Sequence, residues 1–450
     1  MLWSDIREGD GALLSLAAGT DSLGNEIVVA GGYFRTDDTG RDLRILCYDS
    51  ADGRVRWEVR EEKALPNMMT EPIISIDSAG DVLVGWEISA ARLGANKVVS
   101  KYAGIDGQLL WDWSLENSDS GSSMTAIPVA SESGALWVSG IRKISGEYRR
   151  FVAALDMKTG VSLWQDDLNV ARDGLDRPAQ IQHLKDGGAM VVIPPPRVEG
   201  KLPWIIQHRS GVDGGVLWQH EIPWDNGRSW RGVEWIMDQA NGQLVIACRG
   251  TSGQEHVDIA ALDLTSGAER WHVRDNNIGK VRRFVETVTL GQNGGIELWG
   301  GQITEIAYTK WWRWRMDHGI PYPERYESMI YQPMRVTLSP IDGSIRSSEV
   351  SVRPGEQVKA RLARPGKFTE VLILQEFFDP WKARRGLPEV NNWRAEVISP
   401  QFQLFVPIRE PEGTMTSSEF PDHVALTPSG RLVIGGCPVK DQRQWQIRVW

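Results

Sequence analysis

The chain is poor in cysteine, in positive charge and in long apolar runs. Its 450 residues include only three cysteines, far apart in sequence, so the pattern predicts neither a disulfide framework nor a CxxC metal or redox site. Fifty Lys and Arg stand against 59 Asp and Glu, and the formal net charge of −9 argues against general binding to nucleic acid or anionic membranes. No run approaches the roughly 18 apolar residues that cross a bilayer. We therefore expect a soluble, folded protein.

The short motifs of familiar enzyme classes are also missing. There is no GxSxG nucleophile elbow, no P-loop, no HExxH zinc motif and no GxGxxG nucleotide loop. The seven histidines show no metal-ligand spacing, and the acidic run at 37–42 does not match an EF-hand loop. From the sequence we assign no catalytic residue, no metal ligand and no cofactor.

Glycine and tryptophan, in contrast, are abundant: 46 Gly, and 21 Trp against 8 Tyr and 9 Phe. The phrase Asp-Gly-x-x-x-Trp, or a near relative, recurs every 53 or 54 residues. Each period contains four short apolar segments separated by turn signals, and Asp-Gly suits a tight turn because glycine accepts a positive φ. The repeat predicts one four-stranded antiparallel sheet per period.

Sheets of this kind cannot bury both faces alone, so we expect them to stack around an axis as the blades of a propeller. A flat indole on the outermost strand can fill the gap between diverging blades. We interpret these tryptophans as structural wedges between blades: Trp3, Trp57, Trp111, Trp164, Trp218 and Trp271. Ser347 and Phe405 hold the same place in two later repeats. The prediction is an all-β, eight-bladed propeller over residues 1–450, its last blade closed by the N-terminal strand.

Two stretches, residues 154–164 and 261–271, carry a family resemblance: Ala-Leu-Asp, then a Thr-Gly or Ser-Gly turn, then Trp. They resemble the tryptophan-docking repeat of PQQ-like (quinoprotein alcohol dehydrogenase-like) β-propellers. This resemblance implies the fold over nearly the whole chain. Quinoprotein dehydrogenases of the family bind PQQ on the propeller axis with Ca²⁺ or a lanthanide, an Asp base and usually a disulfide of adjacent cysteines. This sequence has no adjacent cysteines, and no catalytic Asp or metal ligand carries over to a numbered position.

Two insertions depart from the repeat, at about 304–327 and 378–391. Each falls in the loop between the second and third strands of its repeat, and such loops leave a propeller on one face. The first is rich in Trp, Tyr and Arg, the residue types enriched at interface hot spots, and the second combines one Trp with three basic residues. The predicted partner-binding residues are Trp311, Trp312, Arg313, Trp314, Arg315, Trp381, Lys382, Arg384 and Arg385. A second candidate surface spans residues 224–235.

The insertions allow two interpretations. Their aromatics either pack as a local mini-core over the blades that lack the wedge tryptophan, or form a recognition surface. Stacking on single-stranded nucleic acid or on sugar rings would use the same residue types. We predict a non-enzymatic, protein-binding or scaffolding propeller of a bacterial envelope or surface assembly, periplasmic or extracellular if the chain is a processed form. A PQQ-dependent oxidoreductase, a carbohydrate-binding propeller and a cytoplasmic location are the alternatives.

Overall fold

A computed structural model describes most of the chain, and its described residues contain strands and turns but no helix. These residues are 2–7, 11–36, 40–61, 72–85, 97–115, 126–130, 134–171, 178–195, 203–222, 233–248, 256–276, 281–291, 294–304, 309–317, 320–328, 331–350, 356–363, 370–376, 393–398, 403–408, 423–436 and 445–449.

Each of the first four repeats forms one four-stranded antiparallel sheet whose strands follow chain order. Sheet 1 contains β2 (Gly11–Thr20), β3 (Glu26–Thr36), β4 (Gly40–Asp49) and β5 (Val55–Glu61). Sheet 2 contains β6 (Ile73–Ile76), β7 (Val82–Gly85), β8 (Lys97–Tyr102) and β9 (Leu109–Ser114). Sheet 3 contains β10 (Ala126–Ala130), β11 (Ala135–Ile144), β12 (Glu147–Asp156) and β13 (Ser162–Ala171). Sheet 4 contains β14 (Gln180–His183), β15 (Ala189–Ile193), β16 (Trp204–Arg209) and β17 (Val216–Ile222).

The next three repeats follow the same plan, with one addition in sheet 6. Sheet 5 contains β18 (Val233–Asp238), β19 (Gln243–Cys248), β20 (His256–Asp263) and β21 (Glu269–Asn276). Sheet 6 contains β22 (Val281–Leu290), β23 (Ile296–Thr304), β26 (Tyr331–Leu338) and β27 (Ile345–Val350). Two additional strands, β24 (Thr309–Asp317) and β25 (Ile320–Ser328), pair only with each other among the described strands. Sheet 7 contains β28 (Glu356–Ala363), β29 (Glu370–Glu376), β30 (Trp393–Ile398) and β31 (Gln403–Ile408).

Sheet 8 joins the two ends of the chain. Its strands are β32 (His423–Leu426), β33 (Leu432–Gly436), β34 (Trp445–Val449) and β1 (Trp3–Arg7). The N-terminal strand β1 is the fourth strand of this sheet and runs antiparallel to β34, with Trp3 opposite Val449 and Arg7 opposite Trp445. The predicted closure of the last sheet by the N-terminal strand is therefore confirmed.

The strands fall into two compact units, Met1–Gly227 with Gly413–Trp450, and Arg228–Glu412. In the first unit the first strands of successive sheets contact each other, from β32 through β2, β6 and β10 to β14. In the second unit β18 contacts β22, and β22 contacts β28. Within each unit the sheets stack in chain order, as propeller blades do. The predicted all-β propeller class is confirmed, and the arrangement of eight sheets in one ring stays a prediction.

The core consists of apolar layers between neighbouring sheets. One layer joins sheets 8 and 1, with Val433 and Ile447 packed against Leu13 and Val28. Because a sheet between two others buries both faces, its middle strands are continuous apolar runs, as in β7 and β15, in which every residue is buried.

Described tryptophans of the repeat pack against the turn glycine of the following sheet. A Cβ atom added to Gly107 would lie 2.8 Å from the ring of Trp57, whose Nε1 donates a 2.9 Å hydrogen bond to the carbonyl of Gly104. The same glycine contact links Trp3 to Gly53, Trp111 to Gly160, Trp164 to Gly214 and Trp271 to Gly343. Trp218 has its ring edge-on to His208 of its own sheet. Five of the six predicted wedges thus touch the neighbouring sheet.

Candidate functional site: a β-hairpin inserted in sheet 6

The first insertion is a β-hairpin formed by β24 and β25. It lies in the connection between β23 and β26, which pair directly with each other from Ile303 opposite Tyr331 to Ile296 opposite Leu338. The hairpin leaves sheet 6 at the Ile303 end, whereas the Gly343 turn lies at the other end. An antiparallel strand pair is therefore added to the repeat without interrupting the four strands of the sheet.

The sequence pattern predicts a loop here, and the structure differs. Alternation of Trp and Arg in β24 is a strand signal, and the sequence after it contains Asp and Gly, residues typical of turns. Pro321 and Pro323, however, argue against a strand because proline cannot donate to a ladder. A strand tolerates proline at an edge, and each strand of a two-stranded hairpin is an edge.

The register divides the predicted binding residues between two faces of the hairpin. Successive positions of a strand belong to opposite faces, so positions 312 and 314 share one face. Trp311, Arg313 and Arg315 share the other. The residues opposite these last three on β25 are Tyr326, Glu324 and Tyr322. One binding surface therefore cannot use all five predicted residues equally.

The face that carries Trp311, Arg313 and Arg315 has the clearer recognition chemistry. The positions of this face hold one Trp and two Arg on β24, opposite two Tyr and one Glu on β25. Arginine beside aromatic rings can stack on them and can also contact acidic or aromatic groups of a partner. Glu324 opposite Arg313 adds a cross-strand pair of opposite charge. We call this set of residues the arginine face of the hairpin.

The second insertion belongs to the neighbouring sheet. Its residues Trp381, Lys382, Arg384 and Arg385 lie outside the described part of the chain, between β29 and β30. β29 and β30 are the second and third strands of sheet 7, and β28 of this sheet contacts β23 and β26 of sheet 6. The two insertions therefore occupy the same connection in adjacent sheets. Of the second candidate surface, residues 224–232 are not described, and Trp235 lies half-buried in β18.

Two buried ion pairs of the first unit each lie within a single sheet. Lys101 Nζ lies 2.8 Å from Asp77 Oδ2 and 3.0 Å from Asp81 Oδ2. Burial acts to lower the pKa of Lys101, but the two carboxylates outweigh it and raise the pKa. Arg56 forms a 2.7 Å ion pair with the fully buried Asp21. Each pair joins a β-turn to a later strand of the same sheet, a structural role that the repeat pattern did not reveal.

Two further titratable side chains are buried in the first unit. Burial raises the pKa of the Cys47 thiol to about 12, which suppresses thiolate chemistry. Burial also lowers the pKa of His208, whose Nε2 lies 3.5 Å from Asp186. Within the described ranges no three His, Cys, Asp or Glu side chains cluster as metal ligands would. The described residues also contain no helix of membrane-spanning length and apolarity.

Comparisons with known proteins support the fold. The quinohemoprotein alcohol dehydrogenase ADHIIG of Pseudomonas putida HK5 matches all of this chain over 75% of its own length, with 11% identity and a TM-score of 0.50. The WD40 domain of SCAP from fission yeast matches 99% of this chain over 97% of its own length, with 9% identity and a TM-score of 0.44. No protein-family model and no curated protein sequence matches the chain. The likeness to the dehydrogenase supports a propeller and carries no information on activity.

Proposed function

We propose that this chain is a protein-binding or scaffolding propeller and that the hairpin of sheet 6 contacts its partner. The observation that carries the proposal is the placement of a Trp- and Arg-rich strand pair outside the four-stranded sheet. Sheet 6 pairs its own four strands without the hairpin, so the hairpin is not needed to complete the sheet. Long additions to a rigid scaffold are common binding elements.

The partner in this proposal is a protein with acidic or aromatic groups at its surface. The net charge of −9 disfavours nucleic acid, although stacking on its bases would use the same aromatic residues. The second insertion, with Trp381, Arg384 and Arg385, extends the surface on the adjacent sheet. Placement in a bacterial envelope or surface assembly, in the periplasm or outside the cell, belongs to the same proposal and rests on the family resemblance.

Charge reversal on one face of the hairpin tests the proposal. Arg313→Glu with Arg315→Glu changes the arginine face, and we expect at least a tenfold loss of partner capture after crosslinking in the native source. Lys310→Glu with Arg325→Glu makes the same charge change on the opposite face of the hairpin. This matched control should retain capture. Equal loss in both variants, or loss of thermal stability with unchanged capture, would support the mini-core interpretation instead.

A hairpin deletion provides the second test. Because Ile303 and Tyr331 are directly opposite each other, an Asn-Gly turn can replace residues 304–330 and join β23 to β26. We expect this variant to keep its melting temperature within a few degrees and to lose the partner.

The rival function is PQQ-dependent oxidation. Titration with PQQ and Ca²⁺, followed by absorption and dye-linked alcohol oxidation, separates the two functions. A stoichiometric quinone band with turnover would overturn the scaffold proposal, and a glycan array tests the carbohydrate alternative.

A further inference from the structure

The fourth strands of sheets 1 to 6 share a β-bulge. In sheet 2, Trp111 lies opposite Lys101 and Leu109 lies opposite Tyr102, so Leu110 has no residue opposite it. The bulged residue always directly precedes the repeat tryptophan or its replacement. In sheets 1 to 6 it is Arg56, Leu110, Leu163, Leu217, Arg270 and Arg346. The position is structurally equivalent in six sheets but divided between arginine and leucine.

The leucines occupy three consecutive sheets and are exposed to solvent. Leu110 is 47% exposed, Leu163 is 53% exposed and Leu217 is 60% exposed. Each has exposed apolar neighbours in the same segment of its sheet, and together they form a set that we call the leucine belt. The belt consists of Leu109, Leu110, Val161, Leu163, Val216 and Leu217.

Contacts between sheets join the neighbouring segments that carry the belt. Trp111 packs on Gly160, and Leu110 and Val161 are the chain neighbours of these two contacting residues. Trp164 packs on Gly214 in the same way, with Leu163 before it in sequence and Val216 shortly after the glycine. Single exposed leucines are ordinary, whereas exposed apolar residues grouped in neighbouring segments of adjacent sheets are a common mark of an interaction site.

The fold itself does not require leucine at the bulge. Arg56 occupies this position in sheet 1 and forms an ion pair with Asp21. Arg270 occupies it in sheet 5 and donates from Nε to Asp263 Oδ2 at 3.1 Å. The same backbone therefore accepts a long charged side chain, and the bulge itself does not require leucine in sheets 2 to 4.

The charges around the belt indicate the chemistry of the partner that would bind it. In the fourth strands of sheets 2 to 4 and the turns before them, the exposed acids include Asp106, Asp112, Asp213 and Glu221, and Lys158 is the exposed base. A fifth exposed acid, Asp166, is paired with the buried Arg209. Two copies of this surface would place like charges together, which disfavours self-association through the belt. A partner with apolar side chains flanked by lysine or arginine complements both features.

We infer that the leucine belt is a docking surface for a protein segment whose apolar side chains are flanked by Lys or Arg. The belt lies in sheets 2 to 4 of the first unit, whereas the hairpin lies in sheet 6 of the second unit. The inference therefore stands independently of the proposed function of the hairpin.

Short synthetic peptides provide the probe. A fluorescent peptide with a leucine core and lysines at both ends is titrated with the full chain and followed by anisotropy. One comparison peptide has glutamates in place of the lysines, and another has threonines in place of the leucines. We expect saturable binding of the leucine–lysine peptide and at least tenfold weaker binding of both others. Equal binding of all three peptides would overturn the inference.

Variants of the chain test whether the peptide binds at the leucine belt or through nonspecific attraction to the protein. Replacing Leu110, Leu163 and Leu217 together by threonine removes apolar surface without changing charge, and should weaken binding at least tenfold while leaving the melting temperature within a few degrees. Replacing the same residues by arginine, as in sheets 1 and 5, should have the same effect. The matched control places arginine at three exposed residues that are not part of the belt, Leu23, Thr265 and Ile341, and should retain most of the binding.

Two outcomes contradict the inference. The first is undiminished peptide binding by the threonine variant, because the belt would then not be the site. The second is dimerisation of the natural chain in sedimentation equilibrium that the threonine variant abolishes, because a second copy would then be the occupant.

Discussion

The indole of Trp57 lies against the backbone of Gly107, the turn glycine of the following sheet. A hydrogen bond also stabilises this contact, because Trp57 Nε1 donates to the carbonyl of Gly104 in the same turn. One turn therefore satisfies the indole donor and receives its ring. The same relationship recurs between sheets along the chain, which ties the repeat period of the sequence to the packing of one sheet on the next.

Two separate constraints favour glycine at position 107, and substitutions can distinguish between them. Its φ is 74°, and an added Cβ would also collide with the anchored ring. Gly24 has a φ of 82° with nothing near its Cβ position, so Gly24→Ala reports the backbone strain alone. We expect Gly24→Ala to cost about 1 kcal/mol of unfolding free energy and Gly107→Ala about 1 to 3 kcal/mol more. Equal losses in urea denaturation would mean that the ring moves aside freely.

The contribution of the indole hydrogen bond to stability can be measured by comparing substitutions at two tryptophans. Trp57 Nε1 donates to Gly104, whereas the buried Nε1 of Trp164 has no hydrogen-bond partner in the structure. Replacement by phenylalanine removes similar ring area at both sites. We expect Trp57→Phe to lower the unfolding free energy by about 1 kcal/mol more than Trp164→Phe. A larger loss at Trp164 would contradict this assignment.

The N-terminal strand is expected to contribute strongly to stability. Deletion of residues 1–7 removes the pairing of β1 with β34, the stacking of Trp3 on Tyr48, and the 2.8 Å hydrogen bond from the Tyr48 hydroxyl to Asp5. It also leaves β34 as an exposed edge. We expect a loss on the order of 3 kcal/mol or more, visible as a lower melting temperature.

Strand complementation provides the control for that deletion. A synthetic peptide of residues 1–7 should restore part of the melting temperature, and the same peptide with Trp3→Ala should not. Tyr48→Phe in the full chain removes only the hydrogen bond to Asp5 and should cost about 1 kcal/mol. An unchanged melting temperature after the deletion would show that β1 does not stabilise the sheet.

The pair formed by Arg270 and Asp263 predicts a pH dependence. Hydrogen bonds from the Arg270 side chain and from Ser266 lower the pKa of Asp263 to about 2, below its ordinary value of 3.8. The pair therefore stabilises the fold fully above pH 3.8 and loses this contribution as the pH falls through about 2. We expect the stability difference between the natural chain and Asp263→Asn to shrink over that window. When the same comparison is made in an Arg270→Gln background, the pH-dependent part of the stability difference caused by Asp263→Asn should be smaller. If this pH-dependent part is unchanged, the pairing is contradicted.

Much of the fold could be predicted from local features of the sequence. The 53- or 54-residue period, the apolar segments and the Asp-Gly turns predict the strands of each sheet because strand formation and turn chemistry depend on a few neighbouring residues. The spacing of Trp3 from Trp57 likewise predicts that the first strand completes the last sheet. The hairpin of sheet 6 was missed as a strand pair because Pro321 and Pro323 obscure the strand signal.

The sequence by itself determined the repeat, its strands and the closure by β1, since periodicity and turn residues are encoded along the chain. Only the tertiary structure decided how those repeats are used. It places the ring of Trp57 on Gly107, leaves Leu110 exposed at a bulge, and separates Trp312 from Arg313 on opposite faces of a hairpin. These features depend on strand register and on contacts between residues about 50 positions apart. Register and long-range packing follow from the assembled sheets rather than from any local segment of sequence.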